Sequence, residues 1–278
     1  MPPLILTPLP NIPLIRPGDN LADILLNALA VEKIQLQDGD ILVLAQKIVS
    51  KAENRLVNLA TVAPSPAALE LAAQTGKDPR LTELLLRESN EVLRARIGSA
   101  IVEHRLGFVC ANAGIDHSNV EPAPHPPPSP QGGGDFLPSP FGRGVGGEGE
   151  DWVLLLPENP DQSAAEIRAN LEAASGAKLG VMIIDSHGRA WRLGTVGVAI
   201  GLSGLPGLID ERGWQDLFGY TLQITIVGVA DELAAAASLV MGQAAEGTPA
   251  IHVRGFPYPL REGSLKELLR PKDQDMFR

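Results

Sequence analysis

The stretch LGVMIIDSHGR, residues 179–189, contains the two features that decide the fold and point to a site. Residues 179–184 form an apolar run of strand length without polar alternation, a pattern typical of a strand buried on both faces. Asp185 follows this run directly, and Ser186 and other small or polar residues come after it. The sequence therefore predicts a buried strand that ends at a carboxylate and opens into a loop.

Similar runs on both sides of this stretch predict further strands, at residues 40–45, 107–112, 152–156, 195–200 and 221–229. Helices are predicted by the helical spacing of Leu21, Ile24, Leu25, Ala28 and Leu29, and in residues 81–96, 163–175 and 231–241. Ser163 and Glu166 have the spacing of a capping box at the start of the third helix. The chain is therefore predicted to be an α+β protein with mixed sheets and flanking helices.

Composition excludes several classes of protein. The 278 residues have 44% hydrophobic content and a net charge of −10, from 23 Lys and Arg against 33 Asp and Glu, which is typical of a soluble globular protein. An acidic chain without a basic cluster is not expected to bind nucleic acid by neutralising phosphates. Residues 224–241, the most apolar region, contain Asp231 and Glu232, so no membrane span is predicted. A single cysteine, Cys110, cannot close an internal disulfide, and a cytoplasmic location is expected.

Glycine and proline are concentrated in one segment. Residues 121–150 contain 8 Pro and 8 Gly, with few apolar side chains to offset the entropy of ordering the backbone. They are predicted to form a flexible insertion that divides the body of the protein into residues 1–120 and 151–278. The same composition would also fit a long surface loop within one domain, or a proline-rich docking motif.

The common catalytic motifs are absent from the sequence. There is no phosphate-binding P-loop, dinucleotide-binding glycine motif, G-x-S-x-G elbow or H-E-x-x-H zinc motif. The histidines, His104, His117, His125, His187 and His252, have no ligand spacing and are predicted to be structural or solvated. The motifs by themselves therefore name no reaction.

Two aspartates suggest a divalent cation. Asp116, in the stretch NAGIDHSN that follows an apolar run, and Asp185 each lie beside small polar residues. Carboxylate, hydroxyl and amide oxygens are the ligands of hard cations that also carry nucleotide phosphates. The alternative is an Asp that caps the next turn through its own side chain.

Lysines and a small-residue loop provide complementary features. Lys47 and Lys51 lie four residues apart, on one face if the segment is helical, and paired ammonium groups suit phosphate oxygens. The loop 241–248, MGQAAEGT, would let backbone amides approach a ligand. The alternatives are a solvated lysine pair and a simple helix C-cap.

Taken together, seven stretches resemble the coenzyme F-420-0:L-glutamate ligase family. They are IPLI at 12–15 followed by RPGD, QKIVSKAE at 46–53, NAGIDHSN at 112–119, IIDSHGR at 183–189, VGVAIGLSG at 196–204, ADELAAAASLVMGQAAEGTPA at 230–250 and VRG at 253–255. Their common order makes the resemblance far more specific than any one of them. It covers nearly the whole chain except residues 121–150.

The resemblance implies roles for individual residues. Contacts to GTP are implied for Ile12, Pro13, Leu14, Ile15, Gln46, Lys47, Lys51, Asn119, Met241, Gly242, Gln243, Ala244, Ala245, Glu246, Gly247 and Thr248. Ligation of Mg²⁺ or Mn²⁺ is implied for Asp116, Asp185, Ser186 and Gln243. An additional K⁺ is implied without assigned residues, and no side chain is implied as a nucleophile. Gln243 lies where some members of the family carry Glu, and its neutral amide oxygen removes one negative charge from the ligand set.

The reaction that the resemblance implies has two stages. GTP phosphorylates a carboxylate on the side arm of the deazaflavin coenzyme F-420-0, and the amine of L-glutamate then attacks the acyl phosphate to form an amide, with further gamma-linked additions. The family also implies a two-domain fold of its own and an intertwined homodimer. Because the chain stops at Arg278, the C-terminal flavin domain of some bacterial members is not expected. Two alternatives stay open: a GTP- and metal-dependent amide ligase with another carboxylate acceptor, and a nucleotide-binding regulatory dimer without turnover.

Overall fold

A computed structural model describes residues 3–120 and 152–276 of the chain. The segment 121–150, which the sequence predicts to be a flexible insertion, lies outside the described residues. The division of the body into residues 1–120 and 151–278 around this segment therefore stays a prediction.

Helices and strands alternate irregularly along the described chain. The helices are α1 Leu21–Val31, α2 Gln46–Ala52, α3 Pro66–Thr75, α4 Pro79–Arg87, α5 Pro160–Ser175 and α6 Val229–Met241. The strands are β1 Ile5–Pro8, β2 Ile41–Ala45, β3 Leu56–Asn58, β4 Ser89–Arg96, β5 Ser99–His104, β6 Val109–Ala111, β7 Trp152–Leu154, β8 Gly180–Arg189, β9 Arg192–Ser203, β10 Ile209–Asp210, β11 Ile226–Val227 and β12 Ala250–Arg254.

Five strands form the central sheet in the order β1-β12-β2-β8-β9. β2 and β8 are parallel, with Ile41 beside Gly180 and Ala45 beside Ile184, and the other neighbouring pairs in this sheet are antiparallel. Parallel neighbours require a long crossover, here the whole chain between β2 and β8. The sheet is therefore mixed, and together with its flanking helices it confirms the predicted α+β class.

The central strands are buried on both faces, as the apolar runs predict. Leu42 and Leu44 belong to an apolar cluster that includes residues of α1 and α5. Ile41 and Val43, which alternate with them along β2, belong to a second cluster that includes residues of α6. Because helices cover both sides, each position of the strand is apolar and the usual alternation with polar residues is lost.

Two glycines let helices lie directly on β9. A Cβ atom at Gly197 would lie 2.5 Å from the carbonyl oxygen of Ala234 in α6, and one at Gly201 would lie 2.4 Å from Cβ of Pro160 at the start of α5. Real Cβ atoms do not approach other atoms so closely, so a larger residue would push the helices away from the sheet. The glycines of the stretch VGVAIGLSG therefore set the distance between β9 and both helices.

A smaller sheet, β4-β5-β6, and the pair β3-β7 form a second layer with α3 and α4. Glu88, between α4 and β4, joins these parts of the molecule. Arg55 donates from Nη2 to both of its carboxylate oxygens at 3.0 Å, and Arg105 donates from Nε at 2.9 Å. Burial by itself would raise the pKa of Glu88, but His104, Arg105 and Arg55 lower it to about 2. The carboxylate is therefore a charged link between the elements of this layer.

One predicted helix was wrong over half of its length. Residues 81–96 were expected to be helical, but α4 ends at Arg87 and residues 89–96 form β4, which pairs with β5. The sequence has helical spacing there, but the strand pairing of this segment with β5 is a long-range contact that local spacing does not report. Tertiary contacts therefore override the local pattern.

Three other boundaries also differ. The capping box at Ser163 was wrong: α5 begins at Pro160, and the side chain of Asn159 accepts from the N–H of Gln162. Pro at the first helical position has its φ fixed near the helical value, so the helix starts earlier.

β8 continues through residues 185–189 because β9 pairs with it to the end of the hairpin, so the predicted loop after Asp185 is strand.

The predicted strand at residues 221–229 is mostly irregular. Only Ile226 and Val227 form a strand there, as β11, and Val229 begins α6. Residues 224–241, the most apolar part of the sequence, are thus divided between several elements. Within residues 3–120 and 152–276, none of the helices has the length and apolar character needed to cross a membrane.

Candidate active site

A cleft of about 650 Å³ lies at one end of the central sheet, where β8 extends beyond β2. β2 ends at Ala45, which is beside Ile184, so Asp185 and Ser186 are the first residues of β8 that have no neighbour in β2. Successive side chains of a strand point to opposite faces. Both of these residues nevertheless line the cleft, because the cleft lies along the edge of β8 that β2 leaves unpaired.

The cleft gathers residues from five separate stretches of the sequence. Every residue for which the resemblance implies a GTP contact lines it, namely Ile12, Pro13, Leu14, Ile15, Gln46, Lys47, Lys51, Asn119, Met241, Gly242, Gln243, Ala244, Ala245, Glu246, Gly247 and Thr248. Asp185 and Ser186 also line it, and Asp116 contacts the lining residues Gln46 and Lys47. Folding therefore brings the candidate nucleotide and cation residues to one place.

Helix α2 begins directly after β2 and carries Gln46, Lys47 and Lys51 into the cleft. Because the segment is helical, the two lysines lie on one face. Gln46 is buried, and Oγ of Ser50 donates to its Oε1 at 2.8 Å. This contact orients the amide so that Nε2 donates to Oδ2 of Asp116 at 2.5 Å.

Asp116 is held through its backbone and its side chain. Its backbone exchanges two hydrogen bonds with Leu154, at 3.0 and 2.9 Å, and its Oδ1 lies 3.4 Å from Nζ of Lys47. Burial raises the pKa of the Asp116 carboxyl group to about 6; Lys47 opposes this change and the charge of Asp185 adds to it. The two carboxylates are therefore close enough to repel each other.

Ser186 connects β8 to the loop that follows α6. Its Oγ donates to Oε1 of Gln243 at 2.9 Å, and Nε2 of Gln243 donates to Oγ of Ser238 at 3.0 Å. The hydroxyl and amide oxygens of Ser186 and Gln243 are thus adjacent, and the contact with Ser238 in α6 sets which end of the amide faces β8. The structure places these two predicted cation ligands side by side.

The loop 241–248 folds back on itself beside the cleft. Gly242 has φ +78°, a backbone conformation that favours glycine, and a Cβ atom there would displace the side chain of Glu246. Oε2 of Glu246 accepts from the backbone N–H of Ala244 at 2.7 Å. Asn119 donates from Nδ2 to the carbonyl oxygen of Ala244 at 3.4 Å, which links the loop to the segment that carries Asp116.

The stretch Ile12, Pro13, Leu14 and Ile15 provides an apolar wall. Ile15 is anchored in the core, whereas Leu14 lines the cleft with 80% of its surface exposed. An exposed leucine beside a polar cleft offers a surface for a flat or apolar part of a ligand.

The oxygen atoms of the site fit a hard divalent cation. Asp116 and Asp185 supply carboxylates, and Ser186 and Gln243 supply neutral oxygens, which are the donors that Mg²⁺ and Mn²⁺ accept. Burial, with a smaller contribution from the charge of Asp185, raises the pKa of Asp116, and a bound cation would favour the ionised carboxylate. No group of three or more His, Cys, Asp or Glu side chains with metal-binding geometry occurs in the described ranges, so this set depends on its neutral oxygens.

Sequence reasoning assigned no role to three residues of the site. His117 and Ser238 line the cleft, and Nε2 of His187 lies 3.2 Å from Oδ2 of Asp185. The histidines lack a metal-ligand spacing, so their pattern gave no signal. The period of two along a strand would have placed His187 on the same face as Asp185 had the strand been predicted to continue past residue 184.

Comparisons with known proteins identify the relatives of this chain. The family model described as F420-0:Gamma-glutamyl ligase matches residues 10–134 and 142–255. The coenzyme F420:L-glutamate ligase of Methanothermobacter thermautotrophicus is 46% identical over 270 residues, which cover 96% of both chains. The ligase of the same name from Methanopyrus kandleri is 43% identical over 282 residues, covering 100% of this chain and 99% of the relative. That of Methanocaldococcus jannaschii is 37% identical, covering 96% of this chain and 94% of the relative.

The α+β fold carries a cleft with both lysines and carboxylates, and these matches define the protein as a ligase of the class that forms carbon–nitrogen bonds. The prediction of this class from the sequence is confirmed. The chain belongs to the F420-0:Gamma-glutamyl ligase family, and the resemblance drawn from the seven sequence stretches is thereby confirmed as well.

Proposed function

We propose that this protein joins L-glutamate to coenzyme F420-0 in a GTP-dependent reaction that proceeds through an acyl phosphate. The observation that carries the proposal is the single cleft in which Lys47, Lys51, Asp185, Ser186 and the loop 241–248 meet. Relatives that align over nearly the whole chain are named coenzyme F420:L-glutamate ligases. The size of the cleft, about 650 Å³, lies within the ordinary range for small-molecule sites.

In the proposed first step, a carboxylate oxygen of the acceptor attacks the γ-phosphorus of GTP. The bond between this phosphorus and the bridging oxygen breaks, and GDP leaves with that oxygen. Lys47 and Lys51, on one face of α2, would contact phosphate oxygens and offset the negative charge that builds up on them. The apolar wall at residues 12–15 would hold the guanine base, and the loop 241–248 would enclose the nucleotide.

In the second step, the amine nitrogen of L-glutamate attacks the acyl carbon. A carbon–nitrogen bond forms, the bond from carbon to the phosphate oxygen breaks, phosphate leaves and the nitrogen releases a proton to solvent. Phosphate is a far better leaving group than the oxide of a free carboxylate. The reaction therefore needs no nucleophilic side chain, in agreement with the lack of such a motif in the sequence.

The cation site would hold Mg²⁺ or Mn²⁺ at Asp116, Asp185, Ser186 and Gln243. When bound, the cation would neutralise charge on the phosphate oxygens during transfer. Lys47 lies 3.4 Å from Asp116, so this ammonium group is also in a position to lie between the carboxylate and a phosphate. The additional K⁺ implied by the resemblance is part of the proposal, without residues assigned to it.

A homodimer is also part of the proposal. The segment between β10 and β11 forms a hairpin that exposes apolar side chains, with Leu217 98% and Phe218 93% exposed and Trp214, Tyr220 and Ile224 more than half exposed. Such a patch is typical of a protein interface. We expect Phe218→Asp to convert a dimer into a monomer in light-scattering measurements, whereas Gln223→Asp on the same hairpin should not. A Phe218→Asp variant with the mass of the unchanged dimer would place the interface elsewhere.

The decisive experiment uses the protein with coenzyme F420-0, L-glutamate, GTP and Mn²⁺. We expect mass spectrometry to show glutamate adducts and an equal number of GDP molecules. GDP without an adduct would support a ligase for another carboxylate acceptor. Binding of GTP without GDP or adduct would support the regulatory dimer, and either result would reject the proposed reaction.

A further inference from the structure

His187 lies beside the carboxylate of Asp185 on β8. The two residues are separated by one position, so they project from the same face of the strand. Nε2 of His187 is 3.2 Å from Oδ2 of Asp185, and only 12% of the imidazole and 15% of the carboxylate side chain is exposed. An ionised carboxylate can only accept a hydrogen bond, so Nε2 carries the proton and donates it.

The imidazole is itself held by an aromatic stack. The ring centroids of His187 and Phe108 are 5.3 Å apart at an angle of 47°. Phe108 stacks on His104, with centroids 5.1 Å apart and planes inclined by 5°, and the side chain of His104 is fully buried. Because the stack is anchored in the core, His187 has little freedom to move away from Asp185.

The two carboxylate oxygens of Asp185 have different surroundings. Oδ2 accepts from His187, whereas Oδ1 accepts no hydrogen bond from the described part of the chain. Asp185 lines the cleft, so one carboxylate oxygen is fixed and the other is left for a ligand. This arrangement limits rotation of the carboxylate before any ligand binds.

We propose that His187 is a positioning residue that holds the Asp185 carboxylate for binding a divalent cation. The inference rests on the proposed cation role of Asp185 and adds a residue to which neither the motifs nor the resemblance assigned a role. Hydrogen-bond partners of metal ligands typically contribute about 10- to 100-fold to metal affinity, because they orient the ligand in advance. His187 is not among the residues that line the cleft, so it would act through Asp185.

Two substitutions separate the hydrogen bond from the packing of the ring. His187→Phe keeps a ring against Phe108 but has no donor, and we expect the affinity for Mn²⁺ to fall about 10- to 100-fold. His187→Gln loses the ring but has an amide N–H at nearly the position of Nε2, and we expect its affinity to remain within about threefold of the wild type. If the ring of His187 served only to pack against Phe108, His187→Gln would lose more affinity for Mn²⁺ than His187→Phe.

The probe is Mn²⁺ alone, with free Mn²⁺ followed by electron paramagnetic resonance. The thermal midpoint of each variant shows that it is folded, and His187→Leu replaces the Phe variant if that variant does not fold. Wild-type affinity in His187→Phe would overturn the inference. Equal losses in the Phe and Gln variants would also overturn it, and would indicate instead that the imidazole binds the cation directly.

The same samples distinguish this inference from the proposed reaction. Wild-type protein that forms glutamate adducts and binds Mn²⁺ supports the reaction, whatever the variants do. In that case we expect the Mn²⁺ concentration for half-maximal rate to rise in His187→Phe and to stay close to the wild-type value in His187→Gln. Wild-type protein that binds no Mn²⁺ would overturn the role of His187, and adduct formation would then be judged by itself.

Discussion

Two aspartates, the buried Asp40 and the partly buried Asp116, lie near opposite ends of β2 and have opposite surroundings. Asp40 directly precedes β2, and Arg254 donates to it from Nε and Nη2 at 2.8 and 2.6 Å. Nε2 of His252 lies 2.9 Å from its Oδ2. Asp116 lies at the end where β2 meets α2, and its contacts are the neutral amide of Gln46 and, at 3.4 Å, the ammonium group of Lys47.

Burial by itself would raise the pKa of either carboxyl group. At Asp40 the hydrogen bonds from Arg254, together with the nearby imidazole of His252, outweigh burial and lower the pKa to about 2. At Asp116 burial outweighs Lys47, and the charge of Asp185 helps to raise the pKa to about 6. A carboxylate with matched partners stabilises the fold, whereas one with a strongly raised pKa in a cleft is typical of a functional site. The two ends of one strand therefore serve stability and chemistry separately.

The largest expected effect is at the cleft. Asp185→Asn keeps the shape of the side chain and removes its charge, so we expect the rate of ligation to fall roughly 100- to 1000-fold. The thermal midpoint should change little, because Asp185 is a proposed cation ligand at the cleft and does not join elements of the core. Steady-state kinetics with saturating GTP measures the effect. A rate close to that of the wild type would remove Asp185 from the cation site.

At the other end of β2, Asp40→Asn should lower the stability of the fold. The folded pKa of about 2 lies below the ordinary value of 3.8. The carboxylate therefore contributes stability above about pH 4, which is lost as the pH falls towards 2. We expect the free energy of unfolding at pH 7 to fall by about 2 kcal/mol, as measured by urea denaturation.

The matched control is Asp273→Asn, which changes an exposed aspartate and should have almost no effect. The difference between wild type and Asp40→Asn should shrink between pH 4 and pH 2. A difference that is independent of pH would show that packing, and not the charge of Asp40, accounts for the loss.

In the cation-free protein, Asp116→Asn should increase the free energy of unfolding, whereas Asp40→Asn should decrease it. Because the folded pKa is raised to about 6, ionisation of Asp116 destabilises the fold as the pH rises through this value. With a chelator present at pH 7, we expect the variant to be more stable than the wild type by about 1 kcal/mol, less than the full pKa shift corresponds to because the side chain is 25% exposed and solvent screens its charge. The gain should vanish below about pH 4. Urea denaturation tests this, and a less stable variant at pH 7 would contradict it.

The smallest effect is expected at Gln243. Gln243→Glu adds a third carboxylate near Asp185, because Ser186 already contacts this side chain. More ligand charge strengthens divalent cation binding, so we expect Mn²⁺ affinity to increase on the order of 3- to 10-fold. Paramagnetic resonance of free Mn²⁺ measures it. A variant with unchanged affinity would place Gln243 outside the ligand set.

Continuous apolar runs predicted the central strands well. β2 and the first half of β8 are buried on both faces, so their composition alone reports their environment. The helix predicted for residues 81–96 was wrong in its second half, because helical spacing could not show that residues 89–96 pair with β5. The second half of β8 was missed for a similar reason, since its polar residues are strand only because β9 lies beside them.

The candidate site was predicted in parts. The resemblance implied each lining residue of the stretches 12–15 and 241–248, and Gln46, Lys47 and Lys51 of α2, but it did not imply Ile48, which also lines the cleft. The contact between Gln46 and Asp116, across 70 positions, and that between Ser186 and Gln243, across 57, have no local signal. His187 could not be found from its spacing, because its importance comes from the carboxylate and the aromatic ring beside it.

The sequence by itself determined the family, the α+β class and the identity of most residues that line the cleft, since these depend on residue type and order along the chain. Only the tertiary structure decided that β8 extends past β2, that burial raises the pKa of Asp116, and that Arg254 keeps Asp40 ionised at the other end of β2. The physical reason is that burial and charge pairing depend on distances between residues far apart in the chain, which local sequence patterns do not contain.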